Sequence, residues 1–433
     1  MYKRKRTEEK AHTHTSSIFD LYQSPTFDES IRKSEYRSYT PFIKSFNCND
    51  SVEFNVNQVD SFFAMFASRI AIKGKLEVTG KGDVTLAPNF GGFLFDSCTY
   101  SESAREVETV RDPGIVSAIR AYTCYNKDDA NHMSIAGWNY PSAPILSAHD
   151  KSFSLLMPLK HIFNIFNDYP MITCGRQTFR FVRARNDNDC VIIKEKVGET
   201  GTTAKIVIES IELKIKHIYP NDDVKQQLLK SIQTDKPILI PFRKWDLNEL
   251  PTITAGARRE IWAVKTSTAI ERPRFIIVCF QTDKRDAVEA DPTLFDHVNT
   301  ASIRVSLNGE YYPNERMQLD FANSHFAEAH FNYSDFQAMG GAMCDAMCGA
   351  LLWTYTYTNK NLDEIAYQNH LSKKDEARTE KESYNSFLPS TSSLFCYVSS
   401  IQLSMSSLYY KTKLIVHNFT LFNLKSKKGY CYK

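Results

Sequence analysis

After residue 50, apolar and polar positions alternate with a period of two through much of the chain. In "RIAIKGKLEV", Ile70, Ile72, Leu76 and Val78 fall on one face, and Lys73, Lys75 and Glu77 on the other. This is the pattern of a strand with one side in a core and one in water. "ESIELKIKHI" repeats it, with Ile211, Leu213 and Ile215 against Glu212, Lys214 and Lys216. Just upstream, Ile206 and Ile208 have the opposite parity. The phase slips near Glu209 and Ser210, which predicts a β-bulge or a strand that changes face. "TFRFVRAR" places Phe179 and Phe181 on one side, together with Arg183. In "ERPRFIIVCFQT", Phe275, Ile276, Ile277, Val278 and Phe280 run almost without a break, predicting a strand covered on both faces.

Turn residues interrupt these runs at short intervals. "VGETGTTAK" (197–205), with Gly198 and Gly201, reads as a hairpin loop. It lacks the Gly-Lys-Ser/Thr ending of a phosphate-binding loop, and no helical pattern follows it. Asn308-Gly309, between "IRVSL" and "EYY", supplies the positive φ angles of a two-residue hairpin.

Helical patterns are few. "MPLKHIFNIFNDYP" sets Leu159, Ile162, Phe163 and Phe166 on one stripe, with Pro158 at the first position and Pro170 past the end. "NDDVKQQLLKSIQTDKP" aligns Val224, Leu228 and Ile232 behind a cap at Asn221 or Asp222. Further helices are expected over 112–123 and from about His325. Two runs of short strands separated by one helix predict an all-β chain of two tandem domains, each a sandwich or jelly roll. The expected division is a flexible polar arm at 1–40, a first jelly roll at 41–220 and a second at 221–340, opened by the helix at 222–233. Residues 341–433 read as an atypical tail, biased toward Ser, Leu, Tyr and Lys, with strand character around Leu414 to Leu424. The tail either replaces the missing strands with a different sequence, or is disordered or an artefact of the gene model, in which case the second barrel is incomplete.

Composition narrows the picture. The chain has 433 residues, 42% apolar and 24% charged, with 28 Phe and 22 Tyr, which suits a β-rich globular protein. A formal net charge of +3 demands no polyanionic partner for the chain as a whole. Charge is concentrated locally in the arm, where Lys3, Arg4, Lys5 and Arg6 read as a nucleic-acid phosphate contact, an import signal or a solvated terminus. No apolar run reaches the length of a membrane helix, and no apolar segment follows the basic start. An intracellular location and ten reduced cysteines are therefore expected.

Chemistry-bearing motifs are missing. There is no G-x-S-x-G elbow, no H-E-x-x-H and no Walker loop. Cys344 and Cys348 lie close together but lack the following ligands of a zinc site. His149-Asp150 and Asp296-His297 are adjacent pairs, but neighbours on a strand point to opposite faces. Both pairs, and His161 beside its helical stripe, read as structural. Phe179, Phe275, Phe280, Tyr311 and Tyr312 have strand periodicity and read as core filling before base stacking. No catalytic residue, metal, cofactor or small-molecule substrate is expected, and the chain reads as a non-enzyme.

Five segments occur in a telling order: "LKHIFNIFNDYP", "FRFVRARNDND", "LLKSIQTDKPILIPFRKWDL", "WAVKTSTAIERPRFIIVCFQT" and "LFDHVNTASIRVSLNGEYYPNERMQLDF". Over about residues 40–338 the chain resembles the double jelly-roll-like family found in invertebrate genomes. That family is in turn similar to the major capsid proteins of double-stranded DNA viruses and virus-like elements. The resemblance implies two eight-stranded barrels, self-association into a homotrimeric capsomer, and tiling of capsomers into a virion. It places residues 271–282 inside the second barrel and makes 302–321 a hairpin anchored by Tyr311 and Tyr312. It implies an origin in an endogenous viral element, and nucleic acid as a partner of the arm. The competing expectation is a host-retained β-sandwich that binds a protein or glycan.

Overall fold

The computed structural model describes residues 29–58, 60–125, 127–138, 146, 150–195, 201–233, 238–253, 258–263, 273–307, 310–340, 353–356, 398–405 and 412–426. The first barrel is built from β1 (Ile31–Tyr39), β2 (Ser51–Val56), β3 (Phe62–Thr79), β4 (Asp83–Leu86), β5 (Phe95–Glu102), β6 (Arg105–Arg111), β7 (Ser152–Pro158), β8 (Gln177–Arg183), β9 (Val191–Lys194) and β10 (Thr203–Pro220). They form two four-stranded walls, β1-β10-β3-β7 and β2-β8-β5-β6, beside a small β4-β9 pair.

Alternation along each strand fills the space between the walls. Ile70, Ile72 and Leu76 from β3 meet Ile206, Ile208, Ile211, Leu213 and Ile215 from β10. Phe54, Cys98, Tyr100, Phe179 and Phe181 face them from the other wall. The phase slip near Glu209 is a bulge: the register jumps between Ile208 and Ser210, opposite Gly74 and Lys73. The extra residue lets Ile208 and Ile211 both point inward despite opposite parity. Gly74 sits against this bulge, and a Cβ there would collide with the Val207 carbonyl. Arg183 follows the parity of Phe179 and Phe181 into the interior. There its guanidinium meets Asp187 at 2.5 Å and the Leu94 carbonyl at 2.7 Å.

Helices fill the ends of this barrel: α1 (Phe90–Phe93), α2 (Pro113–Cys124), α3 (Lys127–Met133), α4 (Leu159–Ile162) and α5 (Ile165–Asp168). α2 matches the helix expected over 112–123 and is buried on nearly every side. The single helix expected within 158–170 is two separate turns, α4 and α5, broken at Phe163 in extended backbone. The break has a cause in the tertiary structure. The Glu108 carboxyl group accepts the N–H groups of Asn164 and Ile165, both at 3.1 Å, and so starts a fresh turn at α5. Of the hairpin loop expected at 197–205, residues 197–200 lie outside the described residues; the strands on either side pair elsewhere, β9 with β4 and β10 with β3 and β1.

The linking helix α6 (Asp222–Gln233) leads into the second barrel. Its strands are β11 (Ile238–Ile253), β12 (Arg259–Trp262), β13 (Pro273–Thr282), β14 (Thr300–Leu307), β15 (Glu310–Tyr312), β16 (Trp353–Thr356), β17 (Val398–Met405) and β18 (Thr412–Ser426), with α7 (Ala327–Gly340) packed on the seam. Again there are two four-stranded walls, β11-β18-β13-β16 and β12-β17-β14-β15. Within β13, Ile276 to Phe280 are all buried, as their unbroken apolar run implies. Leu307 pairs with Glu310, so two residues connect β14 to β15. Asn308-Gly309 themselves lie outside the described residues.

Of the alternatives for 341–433, disorder or an artefact is overturned for three stretches, which take the place of the missing strands. β18 lies between β11 and β13, β17 lies between β12 and β14, and β16 pairs with β13 at the edge of its wall. Unpaired backbone N–H and C=O groups on β11 to β14 demand partners. The residues after 340 supply them, although their composition lacks the turn punctuation found earlier.

Candidate functional site at the seam between the barrels

The two barrels share one core. Phe242 and Trp245 of β11, Ile277 and Cys279 of β13, Phe295 and Phe336 cluster with the apolar interior of the first barrel. Polar groups fasten the rim of this contact. After β13, Arg285 reaches across to the first barrel, 2.7 Å from Asp112 and 3.2 Å from Asp189. Its guanidinium also lies over the Phe93 ring, 5.8 Å from the centroid. Burial opposes the charged guanidinium, but the two carboxylates outweigh it and raise the Arg285 pKa. The next residues continue the join. The Asp286 N–H donates to Asp189 at 2.8 Å, Asn186 Nδ2 to Asp286 at 2.7 Å, and the Ile193 N–H to the Val288 carbonyl at 2.7 Å. Asp112 and Asp286 both adopt positive φ, at 49° and 61°. Aspartate tolerates that region better than most residues, so the join holds two uncommon backbone conformations in place.

A second fastening lies on α5. Asp168 accepts Arg243 Nε and backbone N–H at 2.9 Å each, and Arg243 Nη2 at 2.7 Å. Asn164 Nδ2 donates to the Arg243 carbonyl at 2.9 Å. Burial would raise the Asp168 carboxyl, but the Arg243 guanidinium more than offsets this and holds it below its usual value. Glu108, only 1% exposed, anchors the turn that carries both contacts. Burial pushes its carboxyl up to about 7, against the pull of the Ile165 and Asn164 N–H groups and Arg120. A third contact runs from the Tyr333 hydroxyl to the Tyr122 carbonyl at 2.7 Å.

Buried titratable groups elsewhere are held in closed polar networks. His161 is buried between Asn89 Oδ1 at 3.0 Å and the Tyr125 hydroxyl at 2.7 Å. Burial and Arg120 lower its pKa to about 3, so the ring is neutral. His217 is sandwiched in the same manner by Ser61 Oγ at 2.7 Å and the Tyr39 hydroxyl at 3.0 Å. Each imidazole has both nitrogens occupied by core side chains, which is a structural arrangement.

The residues singled out from sequence do not converge. Lys3, Arg4, Lys5 and Arg6, together with His149, Cys344 and Cys348, lie outside the described residues. Asp296 accepts the Thr282 N–H at 3.0 Å and Lys284 Nζ at 2.6 Å, while His297 stacks on Phe321 at 4.7 Å. Phe179 and Phe280 fill the cores. Tyr311 is 40% exposed beneath Arg304, with 4.8 Å between guanidinium and ring, so it is a surface contact and not a packing anchor. The expectation of thiols throughout fails at Cys174, which is disulfide-bonded. Among the described residues no group of three or more His, Cys, Asp or Glu could hold a metal ion, and no helix is long and apolar enough to cross a membrane. Sequence reasoning missed Asp112, Asp189, Glu108 and Arg285, because nothing local marks them as partners.

Comparison with known proteins agrees with this architecture. The double jelly roll-like domain family matches residues 84–362. The fold is similar to the Faustovirus major capsid protein, with TM-score 0.60 and 9% identity over 95% of this chain and 93% of that one. It is similar to the capsid protein of the PBCV-1 virus, with TM-score 0.54 and 10% identity over 95% and 99%. It is similar to the mavirus major capsid protein, with TM-score 0.54 and 8% identity over 99% and 97%. No curated protein matches the sequence. Identity this low speaks for the fold, which is that of viral major capsid proteins. Tandem barrels, two walls in each and a family match over more than half of the sequence lead to one placement: the chain belongs to the double jelly roll-like domain family.

Proposed function

We propose that the protein is a structural, capsid-type subunit that acts by shape. Copies pack through barrel walls into a homotrimeric capsomer, and capsomers tile a shell. The observation that carries this reading is the seam: two barrels joined by one apolar core and by ion pairs at Arg285 and Arg243. A stiff double wedge of this kind suits repeated lateral packing, with function held in subunit contacts and no active site. The buried histidines and carboxylates are all engaged in holding the fold, which supports the same view. The chain is read as the product of an endogenous viral element, located inside the cell and in a virion once assembled. Lys3, Arg4, Lys5 and Arg6 then serve as a nucleic-acid or import contact of the arm.

Light scattering on the purified full chain, followed by electron microscopy, tests the proposal. Trimers and larger particles are expected. A stable monomer at all concentrations would sink it and favour a binding module.

A further inference from the structure

The two walls of the first barrel differ in charge. On the outer face of β1-β10-β3-β7, the strand register brings six cations together. Arg69, Lys73 and Lys75 project from β3, and Lys205, Lys214 and Lys216 from β10, with Arg69 directly opposite Lys214. Three acids share the face: Glu77 opposite Lys205, Glu212, and Glu209 at the bulge. Six cations less three acids leave +3, equal to the formal net charge of the whole chain. Among the described residues only Lys75 of the six is ion-paired, to Glu77 at 3.7 Å. The opposite wall, β2-β8-β5-β6, shows no such excess. Its outer face carries Glu53 and Glu106 against Arg180 and Arg111, Asp96 exposed at a bulge, and otherwise mostly Ser, Thr and Asn.

The cations lie on two neighbouring strands. Residues two apart on one strand are separated by ~6.7 Å, and adjacent strands by ~4.8 Å. Five of the six are lysines, which act as point charges toward phosphate without demanding a bidentate geometry. Most neighbours on this face are small or polar, such as Ser34 and Ser38 of β1 and Ser152 and Ser154 of β7, with Val207 and Leu156 half-buried among them. Tyr36 is the exposed ring among them, 51% accessible and opposite Lys216. A bilayer surface is poorly served here, since insertion needs a stripe of exposed apolar side chains. Self-pairing is opposed by like charge, which leaves the opposite wall, with three acids against two cations, as the better self-association face.

We infer that the β1-β10-β3-β7 wall binds nucleic acid through its phosphodiester backbone, without sequence preference. Phosphate contacts of this type supply affinity and carry no base information. This is a property of the folded barrel, separate from the arm and independent of whether the chain assembles.

The test is fluorescence anisotropy of the full chain with a labelled single-stranded oligonucleotide of about 30 nucleotides, at salt from roughly 50 to 200 mM. Three variants accompany it. One carries Lys73→Glu, Lys75→Glu, Lys214→Glu and Lys216→Glu; the second carries Gln at the same four positions. The third carries Ala at Lys3, Arg4, Lys5 and Arg6. Expected is salt-sensitive binding by the parent, weakened at least ~10-fold in the Glu variant with a salt slope shallower by ~3, and weakened less in the Gln variant. The arm variant should keep binding that still depends on the wall. Equal binding by the parent and the Gln variant would overturn the inference. So would complete loss in the arm variant, or binding of phosphatidylserine vesicles with none of the oligonucleotide.

Discussion

Arg285 lies 2.7 Å from Asp112 and 3.2 Å from Asp189, so one guanidinium of the second barrel joins two carboxylates of the first. The three residues are less than a quarter exposed, which keeps solvent from screening them fully. Arg285→Ala leaves the two carboxylates facing each other and should cost ~2–4 kcal/mol. Arg285→Lys should recover only part of this, because the ammonium lacks the planar, pre-oriented donors of the guanidinium and its stacking on Phe93. Urea denaturation of the parent and both variants checks the order. Equal stability of all three would show that the ion pairs are ornamental.

Glu108 makes stability depend on pH. Its carboxyl, raised from 4.5 to about 7, keeps its proton in the folded chain where the unfolded chain has lost it. The folded state therefore binds more protons between those two values. Stability falls as pH rises through that window and levels off above it. Glu108→Gln should flatten this fall, since the amide cannot ionise yet still offers an oxygen to the Asn164 or Ile165 N–H. Unfolding free energies at about pH 5 and about pH 8 measure the slope. An unchanged slope in the variant would place the titration elsewhere.

Gly114 packs its α-carbon against the Phe93 ring, and a Cβ there would overlap that ring. Gly114→Ala should destabilise the chain by ~1–3 kcal/mol through overpacking. Adding Phe93→Leu should return part of the loss, although it removes the ring beneath Arg285. A calorimetric melt of the single and double variants tests this. Additive losses would mean the two positions do not touch.

Ending the chain after Gly340 removes β16, β17 and β18. β11, β12, β13 and β14 then lose interior neighbours and expose long unpaired edges. Aggregation on expression is expected, read by sedimentation of the soluble fraction. Solubility matching the full chain would speak against those ladders.

The long strands were legible from the letters alone because their side chains alternate on a local rule. Ile70 and Ile72, or Phe179 and Phe181, announce their face without reference to anything distant. The bulge near Glu209 was legible for the same reason, as a change of parity. What escaped depends on contacts between remote residues. Nothing around Glu108 foretells that it will cap Ile165 and split a helix, and nothing ties Asp112 to a residue as far along as Arg285. After 340 the strand character around Leu414 to Leu424 was legible, but β16, β17 and the place of β18 between β11 and β13 were not, because they depend on the partners that these strands lie beside. The charge of the β1-β10-β3-β7 wall was hidden in a near-neutral total, and it emerges only when β3 and β10 are set in register.

One apolar cluster runs from Phe181 through Ile277, Cys279 and Phe336. A join of this kind resists bending along the midline. If copies of the chain enclose a volume, most of the bend that the closed surface requires must be taken up at the joints from one chain to the next.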